Sequence, residues 1–173
     1  VGKLFKLLVK AGILYIERCF KKKNKRMNIT TRQGREEDIP AIFELVKELA
    51  VYERALNQVS NNVEKMTRDY HEKLYDFFVA ESDSKIIGLS LYYFRYSTWK
   101  GKRLYMEDII VTESMRGNGI GKILFDATVS AAKQTGCTGM LWQVLDWNTS
   151  AVGFYRKYGT NFDNEWINCS LDF

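Results

Sequence analysis

The sequence predicts a mixed α/β (α+β) domain with a mostly antiparallel central sheet and helices on both faces. Three observations carry this. Three strand-like runs follow one another between residues 77 and 111 with only short turns between them, the signature of an antiparallel meander. From Leu104 to Tyr158 strand and helix patterns alternate, which adds a β-α-β-α run to the same sheet. Finally, Ile39, Ile42, Phe43, Leu45, Val46 and Leu49 recur at helical spacing and form an apolar stripe able to cover one face of that sheet.

The elements can be justified in order. Asn28–Arg32 is a short β-branched run, a first strand. Glu36, Glu37 and Asp38 place acids at a helix N-terminus, Pro40 occupies its first turn, and the helix runs to about Tyr52. A polar helical stretch follows over Val63–Tyr75. The meander consists of Phe77–Glu81, Lys85–Tyr96 and Leu104–Val111, with Ser82-Asp83-Ser84 as its first turn. Ile120–Thr135 has a helical apolar face and stops at Gly136. Gly139–Leu145 reads as a strand, Ser150–Tyr158 as a helix and Glu165–Phe173 as a last strand.

The first 26 residues stand apart from this pattern. They carry nine basic groups and one acid, a net of +8, so that a chain of total charge +5 has a body of 5 − 8 = −3. Leu4, Phe5, Leu8, Val9, Ile13, Ile16 and Phe20 lie at helical spacing among lysines, a basic amphipathic segment too short and too charged to span a bilayer. As a functional element it would lie on an anionic membrane; the plainer reading is an extension outside the domain, which then occupies 27–173. The mildly acidic body argues against a nucleic-acid face and suits a cationic substrate. Cys19, Cys137 and Cys169 are odd in number and widely spaced, and His71 is the single histidine, so neither a disulfide framework nor a metal site is expected. Reduced thiols of this kind fit a cytoplasmic protein.

Chemistry is concentrated in two segments. Arg116-Gly117-Asn118-Gly119-Ile120-Gly121 joins a strand to a helix, where glycines let backbone N–H groups approach phosphate oxygens and the helix N-terminus adds partial positive charge. A dinucleotide fingerprint starting at Gly117 would need glycine at 122, which is Lys122. A Walker loop ending at Gly121-Lys122 would need glycine at 116 and Ser or Thr at 123, which are Arg116 and Ile123. Neither fits. The remaining pattern, R-x-x-G-x-G, resembles the pyrophosphate loop of the GNAT acetyltransferase superfamily. Asn148-Thr149-Ser150-Ala151-Val152-Gly153-Phe154-Tyr155-Arg156-Lys157-Tyr158-Gly159 is similar to that superfamily's N-x-x-A-x-x-F-Y-x-x-x-G segment, with Thr160 where an aromatic usually follows.

Further likeness extends over nearly all of 28–173. Glu48-Leu49-Ala50-Val51-Tyr52-Glu53, Leu91-Tyr92-Tyr93-Phe94 with Trp99, and Leu104-Tyr105-Met106-Glu107-Asp108 resemble the diamine (spermidine/spermine) and thialysine acetyltransferase group. The acids that tend to follow the Tyr-Glu pair in polyamine-selective members are replaced by Arg54-Ala55-Leu56-Asn57, so short lysine-like amines merit equal weight with polyamines. The resemblance implies acetyl-coenzyme A as co-substrate, held by the backbone of Ile109, Ile110 and Val111, by the loop from Arg116 through Gly117, Asn118, Gly119, Ile120 and Gly121 to Lys122, and by Asn148, Ala151 and Tyr155. It implies Tyr155 and Glu107 as catalytic residues, and Tyr52, Glu53, Glu107, Trp99 and Trp142 on the acceptor side. Because Glu107 stands in a strand that turns apolar at Ile109–Val111, an unpaired carboxylate there would be costly, which favours a functional role. A small primary amine is the implied acceptor, attacked in a ternary complex without a covalent enzyme intermediate, and a homodimer is implied too. Two other readings stay open at this point: acetylation of protein N-termini or lysines, and a coenzyme A-binding regulatory or membrane-associated module without catalysis.

Overall fold

The structure, a computed structural model, describes residues 28–171. The basic segment 1–26 lies outside the described residues, as do Met27 and the last two positions. Five strands form one sheet in the order β1-β2-β3-β4-β5: β1 Ile29–Gln33, β2 Asp76–Ser82, β3 Lys85–Ser97, β4 Gly101–Val111 and β5 Met140–Leu141. The first four are antiparallel neighbours, and β5 joins β4 in parallel. The helices are α1 Ile39–Tyr52, α2 Val63–His71, α3 Ile120–Gln134 and α4 Thr149–Arg156. The mixed, mostly antiparallel sheet is the predicted one.

Strand alternation sorts the core into two layers. Phe77, Val79, Leu89, Leu91 and Ile110 pack with Ile39, Ile42 and Leu45 of α1 and Met66 of α2. The opposite face carries Ala80, Tyr92, Leu104 and Met106, which meet Leu124 and Phe125 of α3 and Tyr155 of α4. The start of α1 is fixed by a two-pronged ion pair, Arg32 Nη1 and Nη2 to the Asp38 carboxylate at 2.6 and 2.9 Å. That guanidinium holds the buried Asp38 carboxyl below the usual carboxylate range. A buried hydroxyl pair, Ser90 Oγ to Thr128 Oγ1 at 2.7 Å, satisfies both groups between β3 and α3.

Two expectations are corrected. The strand read over Gly139–Leu145 pairs only at Met140 and Leu141, because β4 carries an irregularity beyond that point and the two strands part. The last strand, read over Glu165–Phe173, is not formed in 165–171: Trp166, Ile167 and Leu171 are apolar but 76%, 88% and 78% exposed, and no described strand pairs with them.

Candidate active site

The site is built on the C-terminal half of β4. Register partners there are Leu91↔Asp108 and then Tyr92↔Met106, so Glu107 is the extra residue of a bulge. The bulge changes which side chains face which layer. Before it, Leu104 and Met106 face α3; after it, Ile110 faces α1 while Ile109 and Val111 pack on the α3 side. Glu107, in phase with Tyr105, and Asp108, in phase with Ile110, therefore share the α1 face. On the other edge of the strand, β5 pairs only as far as Tyr105↔Leu141. Past Met106 that edge of β4 has no backbone partner among the described residues, leaving a wedge between β4 and the chain that follows β5.

The glycine loop closes the wedge at one end. Gly117 and Gly119 have φ of +79° and +78°, left-handed values that other residues adopt only with strain, and Gly119 is the N-cap of α3. A Cβ added at either would meet no protein atom within 4 Å, and at Gly121 only Val111 Cγ2 at 4.0 Å. The space in front of the loop is open, and among the described residues the backbone N–H groups of Gly117 through Lys122 have no acceptor. A cradle of unpaired donors at a helix N-terminus suits a pyrophosphate. Arg116 is held by its Nε donating to Val111 O at 2.9 Å, with its guanidinium 4.9 Å from the Tyr52 ring. Lys122 pairs with Asp126 at 2.6 Å on the exposed side of α3. Glu48, which the sequence reading did not assign a role, pins the loop to α1: its carboxylate accepts from Thr112 Oγ1 at 2.8 Å and from Glu113 N at 2.7 Å, with Arg116 Nη2 at 3.9 Å.

Across the wedge, Asn148 caps α4 by accepting from Ala151 N at 3.1 Å and also receives the Tyr52 hydroxyl at 3.3 Å. The Tyr52 ring lies 5.6 Å from Trp147. The end of α1 is thereby tied to the start of α4, and Glu53 follows as the C-cap of α1. Tyr155 is 4% exposed and packs between Trp142 at 5.0 Å and Phe125 at 5.6 Å. Its hydroxyl has no hydrogen-bond partner among the described residues, and burial pushes its pKa well above the ordinary tyrosine value. It therefore keeps its proton at neutral pH. Thr160 replaces the usual aromatic with a specific bond, its hydroxyl donating to Tyr155 O at 2.9 Å.

The electrostatic focus differs from the expected one. Glu107 is exposed, and the cost anticipated for it falls on Asp108: burial pushes the Asp108 carboxyl up to about 6, with like-charge repulsion from Glu107 and Glu53 added. Burial also raises Glu53 above its ordinary value. Tyr52, Glu53, Glu107 and Asp108 are thus brought together at the end of α1. Two expected acceptor-side residues are not. Trp142 is part of the packing under Tyr155, and Trp99 is 86% exposed at the β3–β4 turn, about 20 Å along the strand from Glu107. Asp108 was missed because adjacent strand residues ordinarily face opposite ways, and nothing in the residue types marks the bulge.

Residues 40–160 match the acetyltransferase (GNAT) family. The chain belongs to that family. It is an acetyl-CoA-dependent N-acetyltransferase, acting on an amine. The thialysine N-epsilon-acetyltransferase of Bos taurus is 35% identical over 141 residues, 76% of this chain and 83% of that one. The spermidine/spermine N(1)-acetyltransferase-like protein 1 of Homo sapiens is 33% identical over 131 residues, 70% of this chain but 19% of that protein. An aminoglycoside acetyltransferase from an uncultured soil metagenomic sample, solved with trehalose, superposes with a TM-score of 0.71 over 84% of this chain and 96% of that one, and at 20% identity it attests the GNAT fold. No helix among the described residues is long and apolar enough to cross a membrane.

Proposed function

We propose that the protein acetylates a small primary amine of the diamine or lysine-like type, by direct attack on acetyl-CoA bound along the β4 wedge. The observation that carries this is the Glu107 bulge, which sets two carboxylates on the acceptor face of β4, opposite the Tyr155 side. The similar proteins named for thialysine and spermidine/spermine support a small amine over a protein terminus.

The co-substrate supplies an activated acetyl thioester. Its pyrophosphate suits the N–H groups of Gly117–Lys122, with Arg116, Asn148 and Ala151 beside it, and its arm suits the unpaired edge of Ile109–Val111, whose N–H groups polarise the acetyl carbonyl. An alkyl ammonium has a pKa near ~10.4 and attacks only when neutral. Glu107 takes that proton, directly or through water, and Asp108, held near pH 6, is matched to share it. Glu53 and Tyr52 draw the cation to the end of α1. Tyr155 gives its proton to the departing sulfur. In this reading the chain acts in the cytoplasm and as a homodimer.

The test is a panel of diamines, polyamines, thialysine, lysine and an N-terminal peptide, each with acetyl-CoA, comparing kcat/KM. Preference for the peptide by tenfold or more over every small amine would refute the assignment.

A further inference from the structure

The acceptor face of the sheet continues outward beyond Glu107. Tyr93 and Tyr105 are register partners on it, with rings 5.2 Å apart. The next residue of β3 on the same face is Arg95, whose guanidinium carbon lies 5.7 Å from the Tyr105 ring. Arg95 is exposed, and among the described residues it has neither an ion-pair partner nor a side-chain hydrogen bond. Glu107 stands at the other end of the tyrosine pair and acts on both phenols with the opposite sign to Arg95. The floor is therefore bipolar, anionic at the bulge and cationic at Arg95.

Its length selects among amines. Arg95 pairs with Arg103, four residues before Glu107, so the two ends are about 13 Å apart along the sheet. The Arg95 guanidinium leans towards the Tyr105 ring, so the two charged heads stand no farther apart than that. An extended lysine-like molecule separates its side-chain nitrogen from its carboxylate carbon by about 7 Å, and one charged hydrogen bond at each end fills the rest. A linear diamine or polyamine placed with one nitrogen at Glu107 would carry its second cation towards a guanidinium.

We propose that Arg95 is a specificity-determining residue that takes the α-carboxylate of an α,ω-diamino acid acceptor, while the ω-ammonium is handled at Glu107. This rests on the small-amine reading above. Guanidinium geometry matches a carboxylate with two parallel N–H donors, so a lysine replacement retains the charge and loses the fork. An aromatic floor suits the methylene chain between the two ends.

The experiment uses the full chain and acetyl-CoA with two matched pairs, lysine with cadaverine and ornithine with putrescine, each pair differing by the carboxylate. The ratio of kcat/KM for the amino acid to that for its diamine should fall at least tenfold in Arg95→Ala and recover in part in Arg95→Lys. Arg95→Glu should lower it further, as the diamine gains a favourable partner. A ratio that moves by less than twofold in both the alanine and glutamate variants, with amines still acetylated, overturns the role of Arg95 alone. Failure of the wild type to acetylate any of the four amines overturns the small-amine reading on which the role rests.

Discussion

Replacing Asp108 with asparagine should stabilise the protein while impairing it, and the stabilisation should depend on pH. The carboxyl titrates at about 6 in the folded chain against 3.8 without its surroundings. Between about pH 4 and pH 6 the folded state holds more protons than the unfolded state, so stability falls as pH rises through that window. At about 1.4 kcal/mol per pKa unit, the penalty reaches a ceiling of about 3 kcal/mol above pH 6. Asp108→Asn removes the charge and keeps the shape. Denaturant unfolding of both proteins at pH 4 and at pH 7.5 would measure the difference. The variant should be nearly equal to wild type at pH 4 and more stable by about 1–3 kcal/mol at pH 7.5. A stability difference that is the same at both pH values would refute the assignment of that charge to an enclosed site. Enzyme assays supply the second half: wild-type kcat/KM should decline below about pH 6, and the variant should lose that limb while its plateau drops at least tenfold.

Tyr155→Phe should lower kcat by about 10- to 100-fold, the order expected for loss of a positioned proton donor, while calorimetric acetyl-CoA affinity stays within a few-fold. It should not destabilise the fold, since the hydroxyl it removes makes no hydrogen bond among the described residues. Glu48→Ala should raise KM for acetyl-CoA about tenfold with a smaller change in kcat, because the loop loses its bonds at Thr112 and Glu113; a KM within twofold of wild type would mean that the loop keeps its position without them.

The glycine loop was legible because its requirements are local. Positive φ at Gly117 and Gly119 is a property of those residues, and the helix that follows announces itself by its apolar period. What sequence could not supply depends on a partner. The run Gly139–Leu145 has strand composition throughout, yet pairs only at Met140 and Leu141 because its neighbour bulges. Trp166 and Ile167 have the residue types of a buried strand and stand exposed. Trp142 was grouped with the acceptor residues, whereas its ring packs beneath Tyr155. Glu48 looked like any polar position on α1, since the atoms it holds are 64 and 65 residues away.

The bulge has a consequence for how this site tolerates change. The two faces of β4 are assigned by counting: Tyr105, Glu107, Asp108 and Ile110 fall on one side only because an odd residue is inserted between them. Substitutions at 107 or 108 alter charge and leave the count intact, so acceptor chemistry can be tuned one side chain at a time. Removal of a single residue there would do something different in kind. The strand would regain even parity with every residue after the gap still on its present face, and one carboxylate would stand where two stand now. The wedge would lose its cause at the same stroke, since a regular β4 could pair with β5 along its length. Acceptor chemistry and the opening for the co-substrate thus hang on one extra residue in β4.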